Sequence, residues 1–275
     1  MRILLTGASG LVGSHLVPLL RPESELHLYQ GDLTAGLDTR SLPPRVDAVV
    51  HLAQSRRFRD FPDGAGDVAR VNALAAVELA QYAAQAGASH FVYLSTGGVY
   101  APAREPLTEA APLADDGSMG FYAASKRAGE LLLAPFASRF SLIVLRPFFI
   151  YGRGQERSML IPRLADCVKT GAPIRLAGRD GIRINPIHAS DAAAAVRAAL
   201  QLRGSHRINL AGPETLTIRT IAEEIGRHLG RAPVLEIDDA AAPADLIGDT
   251  GLMARLLGAP RERLAGRIDE VVERA

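Results

Sequence analysis

One cysteine, Cys167, stands among 275 residues. A lone thiol forms no internal disulfide, and no cluster of histidines and cysteines has zinc-ligand spacing. Cys167 therefore reads as a packing residue, and no metal is expected. An excess of either charge is also lacking: 31 Lys and Arg face 30 Asp and Glu, a formal net charge of +1. A nucleic-acid binder would carry a basic excess gathered on one face. The most basic short run, Arg56-Arg57-Phe58-Arg59, reads either as a solvated loop or as a contact to an anionic substrate. No uninterrupted apolar run nears the ~18 residues that a membrane helix needs. The chain opens on a strand-like Arg2-Ile3-Leu4-Leu5, without the basic and apolar regions of a signal peptide. These absences point to a soluble protein of a reducing compartment, most simply the cytoplasm, with no nucleic-acid or membrane partner.

What is present is apolar sequence, 48% of the residues, enough for one large or two coupled domains. Short apolar runs alternate with helical patterns through the first half. Ile3–Leu5, Leu26–Tyr29, Ala48–Ala53, Phe91–Leu94 and Leu142–Leu145 read as strands, and the near-continuous apolarity of Ala48–Ala53 suits a strand covered on both faces. Between them Leu11, Val12, Leu16, Leu19 and Leu20 fall at helical spacing. Ala73–Ala86 reads as a helix closed by Gly87, and Phe121–Leu133 as another that Pro135 ends. This alternation is the pattern of an α/β fold, a Rossmann-like doubly wound parallel sheet. The second half is punctuated by prolines, with helices expected near Asp191–Leu202, Ile218–Leu229 and Leu252–Leu257. No linker separates the halves, so a smaller mixed α/β lobe packed on the first is expected.

Gly7, Gly10 and Gly13 recur at intervals of three, after a strand and before a helix. Gly7 lets the chain turn sharply, Gly10 lets backbone approach a pyrophosphate, and Gly13 lets the helix pack closely on the sheet. The helix N-terminus then offers unpaired N–H groups to the anion. Asp32 follows Gly13 by 19 residues, close to the spacing of an acid that contacts the ribose or the adenine. The N-terminal segment is thus expected to bind a dinucleotide.

Tyr122 and Lys126 lie four apart in an expected helix and share a face. A phenol with an ordinary pKa near 10 is a poor base at neutral pH unless a cation stabilises its phenolate, which a neighbouring ammonium does. Ser95 and Thr96 follow a strand at its carboxyl end, where ligands bind in open parallel sheets. A hydroxyl there can hydrogen-bond the reacting oxygen of a carbinol or ketone.

In this order the motifs resemble the extended short-chain dehydrogenase/reductases, in their nucleotide-sugar epimerase/dehydratase branch. The resemblance runs through Thr6–Gly13, Gly31-Asp32-Leu33, His51–Gln54, Asn72, Leu94–Tyr100, Tyr122–Lys126, Arg146–Gly152, Asn185–Asp191 and Ile208–Gly212. It implies that Tyr122 is the acid/base, Lys126 its electrostatic partner and a ligand of the nicotinamide ribose, and Thr96, rather than Ser95, the catalytic hydroxyl. It further implies a cofactor site of Gly7, Ser9, Gly10, Leu11, Val12, Gly13, Asp32, Leu33, Leu52, Ala53, Gln54 and Pro147. NAD is the implied cofactor, NADP remaining open through Arg21 or Arg40. Arg183, Arg153 and Ser158 are the implied substrate contacts, and His188 a residue joining the lobes. Residues 1–152 with about 183–211 would form the dinucleotide domain, and about 153–182 with 212–275 the substrate lobe. The resemblance also carries a possible homodimer.

Two departures stand out. Between the glycine loop and Asp32 there is room for one strand only, so a strand-helix unit of the family is missing. After Thr96 the chain has Gly97-Gly98, where branch members that eliminate water carry Asp-Glu. What remains is an NAD(P)-dependent epimerase or ketoreductase of a nucleotide-linked sugar. A reductase of a small non-nucleotide carbonyl compound and a dinucleotide sensor without chemistry are the alternatives.

Overall fold

A computed structural model describes residues 1–273. The apolar runs form six strands: β1 (Arg2–Thr6), β2 (Glu25–Tyr29), β3 (Ala48–His51), β4 (His90–Leu94), β5 (Ser141–Pro147) and β8 (His206–Leu210). They make one parallel sheet in the order β2-β1-β3-β4-β5-β8. β1, β3, β4 and β5 are buried almost throughout, as strands covered on both faces must be. One face packs on α1 (Leu11–Leu20), α6 (Ala189–Ala199) and α8 (Gly251–Leu256). The other carries α3 (Ala75–Gln85) and the end of α4 (Phe121–Leu133).

The register fixes where the site lies. Thr6 pairs with Tyr29 and with His51, so β1, β2 and β3 end level. Leu94 pairs with Leu145, so Ser95-Thr96 and Arg146-Pro147 leave the sheet at the same carboxyl edge. The missing unit is confirmed by the topology: β2 is the sheet edge, and only a short 3-10 turn, Thr39–Ser41, lies between it and β3.

The second lobe has its own core, built from α5 (Leu160–Thr170), α7 (Ile218–Leu229) and α9 (Ile268–Val272). Two small sheets edge it. One joins β6 (Ile174–Ala177) to β10 (Leu235–Asp238); the other joins β7 (Arg183–Ile184) to β9 (Leu216–Thr217). β7 thus belongs with the second lobe, and the chain rejoins the large sheet through α6 and β8. Conversely α8 packs on the first domain through Met253. Both pieces depart from the division expected along the sequence, because each is placed by partners distant in the chain.

The expected helix over Ala73–Ala86 starts earlier. α2 (Ala65–Ala69) runs through a π-helical turn, Arg70–Leu74, into α3. The strand expected to reach Ala53 stops at His51, because Leu52 and Ala53 bend across the glycine loop. A Cβ on Gly7 would lie 2.6 Å from the Ala53 nitrogen.

Candidate active site

Gly7 takes the left-handed conformation that its turn requires, with φ +75°. A Cβ at Gly13 would sit 2.1 Å from the Gly7 carbonyl oxygen, so only glycine lets α1 seat against this loop. The N-cap of α1 is Gly10, which offers no side-chain cap. The amides of Leu11, Val12 and Gly13 therefore have no helical carbonyl to bond and can hold an anion. From this loop a cleft of about 1020 Å3 runs past Gly7 and Ser9 to Gln30–Thr34, with Ala53 and Gln54 along one wall. Leu33 and Leu52 are buried beneath it. The Asp32 carboxylate receives the Thr34 N–H and hydroxyl, each at 2.8 Å. These hydrogen bonds hold it below the usual carboxylate range. Arg21, Arg56 and Arg57 also line the cleft. Arg57 is paired with Asp60 and Asp67, and Arg40, outside the cleft lining, with Asp38.

Beyond Gln54 lie the three expected catalytic positions. Thr96 caps the turn Gly97–Val99, its hydroxyl oxygen accepting the Gly98 N–H at 3.1 Å. Tyr122 stands in the first turn of α4 and donates its hydroxyl to Gln54 Oε1 at 2.9 Å. Burial pushes its phenol up from the ordinary value, opposed by a hydrogen bond with Thr96. One turn on, Lys126 is 1% exposed. Its Nζ donates to the Leu94 carbonyl at 2.9 Å and lies 5.2 Å from the Tyr93 ring centre. Burial pushes this ammonium down to about 7, so a neighbouring negative charge would recover much of what desolvation costs it.

The ring of Phe58 packs 5.3 Å from that of Tyr122. The neighbouring Arg59 donates to the Ser158 carbonyl. The basic run is thus a strap between the two lobes, lying over the tyrosine.

Several supporting residues had no role in the sequence reading. The π-helical turn leaves the Val71 and Asn72 carbonyls for side-chain donors: His51 Nε2 reaches the first at 3.2 Å and the Tyr93 hydroxyl the second at 2.7 Å. Since a carbonyl only accepts, His51 carries its proton on Nε2, and Nδ1 accepts from the Thr6 hydroxyl at 2.7 Å. Burial, then the Lys126 charge, push His51 down to about 3, so it is neutral. Asn72 donates to Ser125 Oγ on α4 at 2.9 Å. Glu130, two turns past Tyr122, receives Arg146 through both oxygens, at 2.9 and 2.6 Å, and the Ser95 hydroxyl at 2.6 Å. Ser95 is thereby tied to structure, while Thr96 remains beside Tyr122. The spacing 122, 126, 130 on one helical face, with an arginine inside the apolar strand β5, was the available signal for this pair.

The expected substrate contacts do not line the cleft. Arg183 is bound to Asp245 at 2.9 Å and donates to the Arg104 carbonyl at 2.8 Å. Arg153 reaches Glu273 at 3.2 Å, and its backbone N–H donates to Glu270. The Ser158 hydroxyl turns to Glu156. His188 is buried between the lobes, bonded to Ser190 at 2.6 Å and to Glu270 at 3.0 Å.

A doubly wound parallel sheet with a glycine loop before α1 and polar groups at its carboxyl edge defines the Rossmann class of dinucleotide-binding folds. Residues 3–211 match the NAD dependent epimerase/dehydratase family, and the chain belongs to that family. Its members are enzymes of the extended short-chain dehydrogenase/reductase type. The chain is 26% identical to a dTDP-4-dehydro-6-deoxy-D-allose reductase of a Streptomyces species, over 98% of this chain and 94% of that protein. It is 27% identical to a dTDP-glucose 4,6-dehydratase of Streptomyces niveus, over 84% and 78%. Among solved structures it resembles MoeE5 in complex with UDP-glucuronic acid and NAD, with a TM-score of 0.81, 25% identity, and coverage of 98% and 97%. Among the described residues no helix is long and apolar enough to cross a membrane, and no group of three or more His, Cys, Asp or Glu could hold a metal ion.

Proposed function

We propose that this protein is an NAD-dependent epimerase or ketoreductase of a nucleoside-diphosphate sugar, moving a hydride to or from a ring carbon that bears a hydroxyl or keto group. The observation that carries this reading is Tyr122, bonded to Gln54 of the glycine-loop cleft and standing beside Thr96, with the buried Lys126 one turn further along α4. The cleft fits a dinucleotide: the free amides of α1 suit a pyrophosphate, and Asp32 stands at the opposite end for the adenosine ribose. Ser9, Leu33, Leu52, Ala53 and Gln54 would wall it, and Pro147 at the end of β5 would meet the carboxamide. When bound, NAD supplies the carbon that accepts or returns the hydride.

The chain's own groups manage the proton. Tyr122 takes the hydroxyl proton of the sugar in the oxidative direction and returns it in the other. Thr96 orients the same oxygen. Lys126 lowers the cost of the phenolate, which burial alone raises. Gly97-Gly98 supply neither an acid nor a base, so elimination of water is not part of this chemistry, despite the likeness to a dehydratase. Arg183 contacts a diphosphate only by sharing its guanidinium with Asp245, and Arg153 and Ser158 only by leaving their glutamate partners.

The test incubates the protein with NAD or NADH and a panel of UDP-, dTDP- and GDP-linked sugars, reading nicotinamide absorbance and sugar composition together. A C4-epimer without net cofactor change marks the epimerase, and stoichiometric oxidation of NADH the ketoreductase. Reaction of simple carbonyl compounds alone would favour the non-nucleotide reductase, and tight NAD binding without any turnover the sensor. The cytoplasm is the compartment proposed. A homodimer is proposed through the exposed Leu74, Leu131 and Leu132 beside α3 and on α4, and light scattering reads it directly.

A further inference from the structure

Gln54 is the acceptor of the Tyr122 hydroxyl, at 2.9 Å. It follows β3 and lies on the cleft wall between Ala53 and Ser55. Ser55 Oγ accepts the Arg57 N–H at 3.1 Å and fixes the turn that leads into the strap. The strap's Phe58 then backs the Tyr122 ring. Lys126, which the mechanism needs near the phenolate, is bound to a backbone carbonyl instead. Gln54 is therefore the group hydrogen-bonded to the phenol oxygen, with Thr96 close enough to hold the phenol down against burial.

A carboxamide carries an accepting oxygen and two donating N–H groups. Half a turn about its terminal bond exchanges them. Toward a phenol the oxygen accepts; toward a phenolate an N–H donates, and a hydrogen bond to a charged group is the stronger kind. We propose that Gln54 is a positioning residue for the acid/base chemistry, its amide turning to accept from Tyr122 when protonated and to donate to it when ionised. This rests on the reading of Tyr122 as the acid/base. The charged and titratable groups around the pair are Lys126 on α4, Tyr93 on β4, His51 on β3 beyond Lys126, the strap arginines Arg56, Arg57 and Arg59, and the Arg57 partners Asp60 and Asp67. None of these is bonded to the Tyr122 oxygen, so the Gln54 amide, with the Thr96 hydroxyl beside it, is the partner that can follow its change of charge.

The test is a spectrophotometric pH titration of the phenolate band in the full-length protein at saturating NAD+. Wild type minus Tyr122→Phe isolates the titration of Tyr122. Gln54→Met keeps the length of the side chain and removes both hydrogen-bonding functions. It is expected to raise the Tyr122 midpoint by about one pH unit, a tenfold fall in the ionisation constant. Gln54→Glu keeps an acceptor, removes the donor and adds a like charge, and is expected to raise the midpoint at least as far. Gln54 is exposed, so both variants retain the fold, which thermal melting verifies. A Tyr122 midpoint that stays put in Gln54→Met overturns this proposal alone, because a space-filling residue would behave so. Wild-type and Tyr122→Phe curves that superimpose overturn the acid/base reading itself, and this proposal with it.

Discussion

Replacing Glu130 with alanine removes a carboxylate from the centre of a buried charge network. Arg146 is 1% exposed and Glu130 3%, and the two are bonded twice. Arg127 adds a bond at 2.8 Å, and the Ser95 hydroxyl another. The Arg146 guanidinium also lies 4.8 Å from the Tyr100 ring centre. Without Glu130 a buried cation loses its counter-charge, a change that costs about 3–5 kcal/mol. Net stabilities of domains are only about 5–15 kcal/mol, so the variant should unfold at a far lower urea concentration at neutral pH. Replacing both Glu130 and Arg146 with methionine should recover much of the loss, since the cations then left without Glu130, Arg127 and Arg207, both reach solvent. The pH dependence follows the same pair. Burial pushes the Glu130 carboxyl up, but the Arg146 hydrogen bonds and charge, with Ser95 and Arg127, bring it below the usual range. A carboxyl depressed in the folded state contributes stability above its unfolded pKa of about 4.3 and loses it as pH falls through the folded value. Equilibrium urea unfolding of wild type, single and double variants reads all of this. A loss under about 1 kcal/mol in Glu130→Ala would place the pair energetically with surface ion pairs and refute the reasoning.

Gly13→Ala should destabilise the fold by at least about 1–3 kcal/mol and weaken NAD binding, because its Cβ would fall on the Gly7 and Ala8 carbonyls; thermal melting and calorimetric titration measure the two effects. His51, pushed down to about 3 by burial, binds a proton in the unfolded chain before the folded one. Stability should therefore fall by about 1.4 kcal/mol per pH unit from this group as pH drops from about 6.5 towards 3. His51→Gln should remove that slope from a series of urea curves, and an unchanged slope would show that His51 is not the source.

The sheet was legible because parallel strands buried on both faces must be written in apolar residues, as Ile3–Leu5 and Ala48–His51 are. The missing strand-helix unit was legible too, since residues 30–47 hold too little pattern for it. The short strands β6, β7, β9 and β10 were not, because Arg183–Ile184 and Leu216–Thr217 have no period of their own and are held by pairing with each other and, for Ile184, with Leu246. The site divides in the same way. Thr96, Tyr122 and Lys126 could be singled out as candidates because each sits at a defined end or turn of a regular element. The partners of Arg183 and Arg153 could not, because Asp245, Glu270 and Glu273 come from loops and a helix far along the chain. Gln54 was visible as cleft wall, but its bond to Tyr122 depends on how the chain turns after β3.

In the proposed reaction Tyr122 moves the proton while a dinucleotide in the glycine-loop cleft exchanges the hydride. Single-turnover mixing of protein, NAD and the reactive sugar nucleotide, for wild type and Tyr122→Phe alongside, tests it most directly. Loss of a positioned acid/base costs about 10²–10⁴-fold in the chemical step, with the affinity for NAD left nearly unchanged. Hydride transfer at the wild-type rate in Tyr122→Phe would contradict the account.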